Sequence, residues 1–141
     1  MLHNRLISAG LAMAFTAFTT TNAWAHAFMV NKDVPAGSWQ IVEIAIPHGC
    51  KGTPTHTVKI KMPVGVFNAR AEVKPGWDLS VTMKTLPEPI KINDLMLNEI
   101  VDEITWSGGS LGDIYMERFS FMAKMPSTEG ETIYFPIVQL C

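Results

Sequence analysis

Apolar and polar residues alternate with a period of two along most of this 141-residue chain, once an apolar leader has been passed. From Thr57 to Met62, Val58, Ile60 and Met62 share one face, and Thr57, Lys59 and Lys61 the other. Trp77–Met83 repeats the pattern, with Trp77, Leu79, Val81 and Met83 set against Asp78, Ser80 and Thr82. Such alternation predicts strands with one buried face. Trp39–Ile46 is more continuously apolar and reads as a central strand, with Val42, Ile44 and Ile46 facing one way. Val66–Val73, Ile100–Trp106, Tyr115–Lys124 and Ile133–Leu140 bring the set to about seven, and Pro136 puts the last at an edge or bulge. Turn residues punctuate these runs at Pro35–Gly37, Pro47–Gly49, Gly52–Pro54, Pro63–Gly65, Pro75–Gly76, Pro87–Pro89, Gly108–Gly109 and Pro126. Ile92, Leu95, Met96 and Glu99 fall at helical spacing and predict one short helical turn over Ile92–Glu99. The expected fold is all-β, a two-sheet β-sandwich, with several strand orders compatible with the pattern.

Residues 1–25 read as a secretory signal peptide. Arg5 supplies the positive n-region, Leu6–Phe18 is apolar, and Thr19–Asn22 is polar. The apolar run of about 13 residues is short of the roughly 20 that a membrane span needs. Ala23 and Ala25 are the small residues a signal peptidase accepts, so cleavage is expected between Ala25 and His26. One domain, residues 26–141, follows, and the protein is expected in the periplasm or outside the cell. That domain carries ten Lys and Arg against thirteen Asp and Glu, a side-chain net charge of −3, which argues against a nucleic-acid partner. Its two cysteines, Cys50 and Cys141, predict one disulfide in an oxidising compartment. The loop spans most of the domain, for which chain entropy gives an upper figure of about 4–5 kcal/mol.

Cleavage before His26 would create the strongest candidate for chemistry. An N-terminal histidine offers its α-amine and its imidazole, which close a six-membered chelate ring on a metal. These groups titrate near 7.7–8.0 and near 6.5 in model peptides, so both are available at neutral pH at little proton cost. Nitrogen chelation of this kind favours Cu(II). His48 sits in a Pro-His-Gly-Cys turn and is expected to be structural or merely exposed; His56 precedes a strand and is expected at the surface. No His-x-His, His-x3-His or Cys-x2-Cys spacing supports a zinc site. The later methionines are scattered and read mostly as core packing. No nucleophile elbow, phosphate loop or dinucleotide fingerprint occurs, so no enzyme is expected. Ser107–Ser110 reads as a tight turn, and Asp102 and Glu103, being adjacent in a strand, as pointing to opposite faces.

Five motifs in order resemble the YcnI-like family of exported bacterial copper-binding proteins. They are Lys32–Trp39, Pro47-His48-Gly49-Cys50, Lys74-Pro75-Gly76-Trp77, Ile104–Gly109, and Tyr134–Gln139 with Cys141. The resemblance implies a β-sandwich similar to cupredoxin and fibronectin type III folds. It also implies a Cu(II) site at the mature N-terminal histidine, matched by His26, with an acidic residue seven positions on. That acid is usually glutamate; here it is Asp33, one methylene shorter. A family tryptophan that packs at the metal follows the second cysteine, and the sequence in hand ends at Cys141. Trp39, Trp77 and Trp106 belong to other motifs.

The function expected is a Cu(II) carrier or buffer in copper homeostasis, its partners the copper ion and copper-trafficking membrane proteins. A β-sandwich interaction module without a metal role is the alternative. A copper redox enzyme would need a second histidine, from His48 or His56, at the N-terminus. Mass spectrometry of the exported protein is expected to give a chain beginning at His26; any other start removes the chelating amine and this site with it.

Overall fold

The alternating runs become eight strands: β1 (Phe28–Met29), β2 (Trp39–Ile46), β3 (Thr55–Lys61), β4 (Phe67–Ala71), β5 (Asp78–Ile92), β6 (Leu95–Leu111), β7 (Glu117–Lys124) and β8 (Ile137–Leu140). This computed structural model describes residues 27–141; the leader, its cleavage site and His26 lie outside the described residues. The strands form two four-stranded antiparallel sheets, ordered β1-β2-β7-β4 and β5-β6-β3-β8. The expected two-sheet β-sandwich is the observed fold.

The two sheets meet through the apolar face of each strand. Val42, Ile44 and Ile46 of β2 and Phe119, Phe121 and Ala123 of β7 pack against Val58 and Ile60 of β3 and Ile104 and Trp106 of β6. Each large side chain among them contributes about 1.5–3 kcal/mol by leaving water. Trp106 and Phe119 lie with ring centroids 5.3 Å apart, and Trp77 meets Phe119 edge-on at 4.9 Å. The buried Trp106 indole donates its N–H to the carbonyl of Glu72 at 3.0 Å, so its one polar atom is satisfied.

Several local expectations are corrected, each because tertiary pairing overrode a local signal. Ile92–Glu99 is not helical: Ile92 pairs with Leu95, and Asn93-Asp94 is the two-residue turn joining β5 to β6. Asn93 takes φ 56°, a left-handed conformation that asparagine tolerates. Pro87-Glu88-Pro89 is no turn between elements but an irregularity within β5, where the register slips between Thr85 and Ile90. Val81 and Met83 alternate as expected yet are exposed, because β5 is the outer strand of its sheet, while their partners Ile104 and Val101 on β6 are buried. Asp102 is the extra residue of a bulge in β6, skipped as Thr82 pairs with Glu103 and Met83 with Val101. The bulge sends both carboxylates to the same lysine face of β3: Glu103 pairs with Lys59 at 3.5 Å and Asp102 with Lys61 at 3.6 Å. Core packing accounts for Met62 and Met125, whereas Met83, Met96, Met116 and Met122 are exposed.

Ser107–Ser110 lies inside β6 rather than in a turn. Its glycines are a packing requirement. A Cβ on Gly109 would fall 2.2 Å from the Trp77 ring, so the indole lies directly on bare backbone. Gly108 next to it takes φ 75°, at the register shift by which β6 accommodates Thr55–Thr57 of β3. The Lys74–Trp77 and Ile104–Gly109 motifs are therefore two halves of one contact.

Cys50 and Cys141 are disulfide-bonded, with Cα atoms 6.2 Å apart and a sequence separation of 91. The bond ties the end of β8 to the turn between β2 and β3. Beside it, the Gln139 side-chain amide donates to the Thr55 hydroxyl at 2.5 Å and to the His48 carbonyl at 3.0 Å.

Gly109→Ala is expected to cost about 1–3 kcal/mol in urea denaturation through overpacking, and the penalty should largely vanish in a Trp77→Ala background. Replacing both cysteines by serine is expected to remove up to about 4–5 kcal/mol. Thiol labelling of the native protein should modify neither cysteine.

Candidate functional site

The described chain starts one residue after His26, so the approach to that residue is visible. Ala27 and Met29 turn toward the core, while Phe28 and Val30 face solvent. Phe28 pairs with Ala45 and Met29 with Ile44; beyond the strand, the Val30 N–H donates to the Glu43 carbonyl at 2.9 Å. The Asn31 side-chain amide donates to the Ile41 carbonyl at 3.3 Å. Ala27–Asn31 is thus laid out along β2, covering about 13 Å at the usual rise of about 3.3 Å per residue. Ala27 lies toward the end of β2 that continues into Pro47 and His48, and Asn31 lies toward the beginning of that strand.

Asp33 follows that extended run, in the loop before the Pro35–Gly37 turn. Gly37 closes the turn with φ 64°, its N–H donating to the Pro126 carbonyl at 2.7 Å. Asp33 is exposed and makes no hydrogen bond or ion pair among the described residues. It lines a cleft of about 830 Å³ between this loop and the 125–135 segment. The cleft has an apolar wall that includes Met29, Ile41 and Phe135, and a polar rim that adds Lys32, Glu129 and Glu131 to Asp33. Among the described residues, no three His, Cys, Asp or Glu side chains are grouped closely enough to hold a metal ion.

The other two histidines of the domain sit elsewhere. His48 is half-buried, and its ring Nδ1–H donates to the Gly49 carbonyl at 2.5 Å. Gly49 admits no side chain, since a Cβ there would lie 2.7 Å from the Leu111 carbonyl oxygen. His48 is thus part-buried within its turn rather than fully exposed. His56 is exposed at the start of β3, with Nδ1 2.9 Å from the Thr57 hydroxyl.

Gln139 was not singled out from the sequence, although it fastens β8 to the disulfide turn. Its Oε1 is buried without a protein partner among the described residues. The available signal was its inward position, two residues after Ile137 in a strand whose alternate residues face the core.

The chain is 29% identical over 119 residues to the copper-binding protein CutI of Bacillus subtilis (strain 168); the match covers 83% of this chain and 52% of that protein. The chain thus spans about half the length of this curated relative. Among solved structures it is similar to an uncharacterized protein from Nocardia farcinica described as having an immunoglobulin-like fold. The TM-score is 0.56 at 23% identity, over 82% of this chain and 75% of that one. That likeness agrees with the sandwich seen here. The model of a family described as a domain of unknown function (DUF1775) matches residues 26–141, and this chain, with its ordered YcnI-like motifs, belongs to that family.

Proposed function

We propose that this protein is exported and binds Cu(II) at His26, as a carrier or buffer in copper homeostasis rather than as an enzyme. The observation that carries the reading is the likeness to a copper-binding protein over 83% of this chain. The Cys50–Cys141 disulfide supports export, because such bonds persist in oxidising compartments. The matched family region begins at residue 26, where a chain cleaved after Ala25 would start.

In this reading the His26 α-amine and imidazole chelate the ion. Asp33 adds a charged oxygen donor that no side chain in the described residues already occupies. The extended Ala27–Asn31 run separates the two residues, so Asp33 is the weaker contributor. For both to hold one ion, the loop carrying Asp33 has to fold back along β1, or the short edge strand has to lift from β2. Copper is cargo here, received from and delivered to copper-trafficking membrane proteins.

Cu(II) titration of protein beginning at His26 is expected to show one tight site. An added N-terminal residue, which removes the free amine from chelation, should weaken it strongly. His26→Ala should nearly abolish it, and Asp33→Ala should weaken it about tenfold, with circular dichroism unchanged in both. Binding displaces protons from the amine and imidazole, so affinity should fall as pH drops through about 8 and again through about 6.5. An electron paramagnetic resonance spectrum unchanged by both substitutions would rule the site out.

A further inference from the structure

The sheet β5-β6-β3-β8 ends on one side in a strand whose outer edge has no neighbour among the described residues. β5 pairs only with β6. Its backbone donors and acceptors on the other side are open, the arrangement that templates another strand. The remaining sheet edges are shorter: β1 has two residues, β8 four, and β4 five, with Asn68 at φ 52°. β5 runs from Asp78 to Thr85 before Pro87 and Pro89 interrupt it, and all of this stretch except Leu79 is exposed.

The open stretch is complementary to itself. Laid antiparallel to a second copy with Val81 opposite Val81, Asp78 faces Lys84, Leu79 faces Met83 and Ser80 faces Thr82. Opposite charges, apolar side chains and hydroxyls each meet their own kind of partner, the pairings that stabilise adjacent strands. Neither Asp78 nor Lys84 makes an ion pair among the described residues. Val81 and Met83, 41% and 53% exposed, lie on the same face as Leu79, which packs against the core. A second β5 would place its own Val81, Leu79 and Met83 beside them and extend the apolar surface. The prolines pin the register, because a strand slipped toward Ile90 would meet residues with no N–H to offer.

We propose that β5 is a homodimer interface, in which Asp78–Lys84 of two copies pair about a two-fold axis at Val81 and join the sheets into one of eight strands. The interface is isologous, so each charge pair occurs twice. Association of this kind is independent of metal and leaves the cleft lined by Asp33 untouched.

Sedimentation velocity of the mature protein across a concentration series tests it. The native sequence is expected to show a reversible monomer–dimer equilibrium. Asp78→Lys and Lys84→Asp set like charges opposite one another at both ends, and each should raise the dimer dissociation constant by about tenfold or more. The double variant restores opposite charges in reversed order and should return the constant to the native value. Both substitutions are on exposed residues, and circular dichroism should report an unaltered fold in all three variants. A native protein that stays monomeric at every attainable concentration overturns the proposal, whether or not some other chain can add to β5. Single variants that associate as tightly as the native protein, or a double variant that does not recover, overturn it equally.

Discussion

The contact of Trp106 with Phe119 is the constraint on which the sandwich depends. One ring belongs to β6 and the other to β7, so the pair joins the two sheets at the centre of the core. The indole N–H of Trp106 reaches the Glu72 carbonyl beyond β4, adding a hydrogen bond between layers. The Ser120 hydroxyl of β7 donates to the Glu72 carboxylate, and the Glu72 N–H donates to the Ser120 carbonyl at 2.9 Å. A large aromatic residue satisfied at its one polar atom fixes both the spacing and the lateral position of the sheets. Trp77 extends the same cluster, and it fits only because Gly109 presents no side chain.

From that centre the two sheets diverge in extent. β5 and β6 run 15 and 17 residues, whereas β2 and β7 run 8 each. The long hairpin outgrows its cover at the tip, which leaves Leu95 and Met96 exposed, and the sheet order leaves β5 as an open edge. At the other edge of the sandwich β1 contributes two residues and then releases the chain into the loop that carries Asp33. Rigid packing is thus concentrated in the middle, and the groups with unused bonding capacity lie at the margins. The Cys50–Cys141 bond and Gln139 brace one of those margins, holding β8, the last and shortest strand of its sheet, against the turn after β2.

The parts of the fold that could be read from the sequence are those governed by one strand's own periodicity. Trp39–Ile46 came out with its ends in place because its apolar run, the Pro35–Gly37 turn and Pro47 all agree. The bulges could not be read, since a bulge is a relation between two strands. Nothing in Val101-Asp102-Glu103-Ile104 says that Asp102 is skipped; the pairing of Thr82 and Met83 across the ladder decides it. The same holds for Ile92–Glu99, whose apolar spacing fits a helix but whose neighbours make it the tip of a hairpin. Of the candidate site, Asp33 could be named as a candidate ligand but its surroundings could not be read, because the 125–135 segment that shares its cleft is distant in sequence.

By itself the sequence determined the fold class, the disulfide from an even cysteine count, and the family through five ordered motifs. These rest on residue type and local spacing, which a linear chain carries in full. Only the tertiary structure decided that the Trp77 and Gly109 motifs are one contact, that Asp102 and Glu103 serve one lysine face, and that β5 is the open edge. Each depends on which strands lie side by side. That is set by burying apolar faces from both sheets at once, a condition that no single segment expresses.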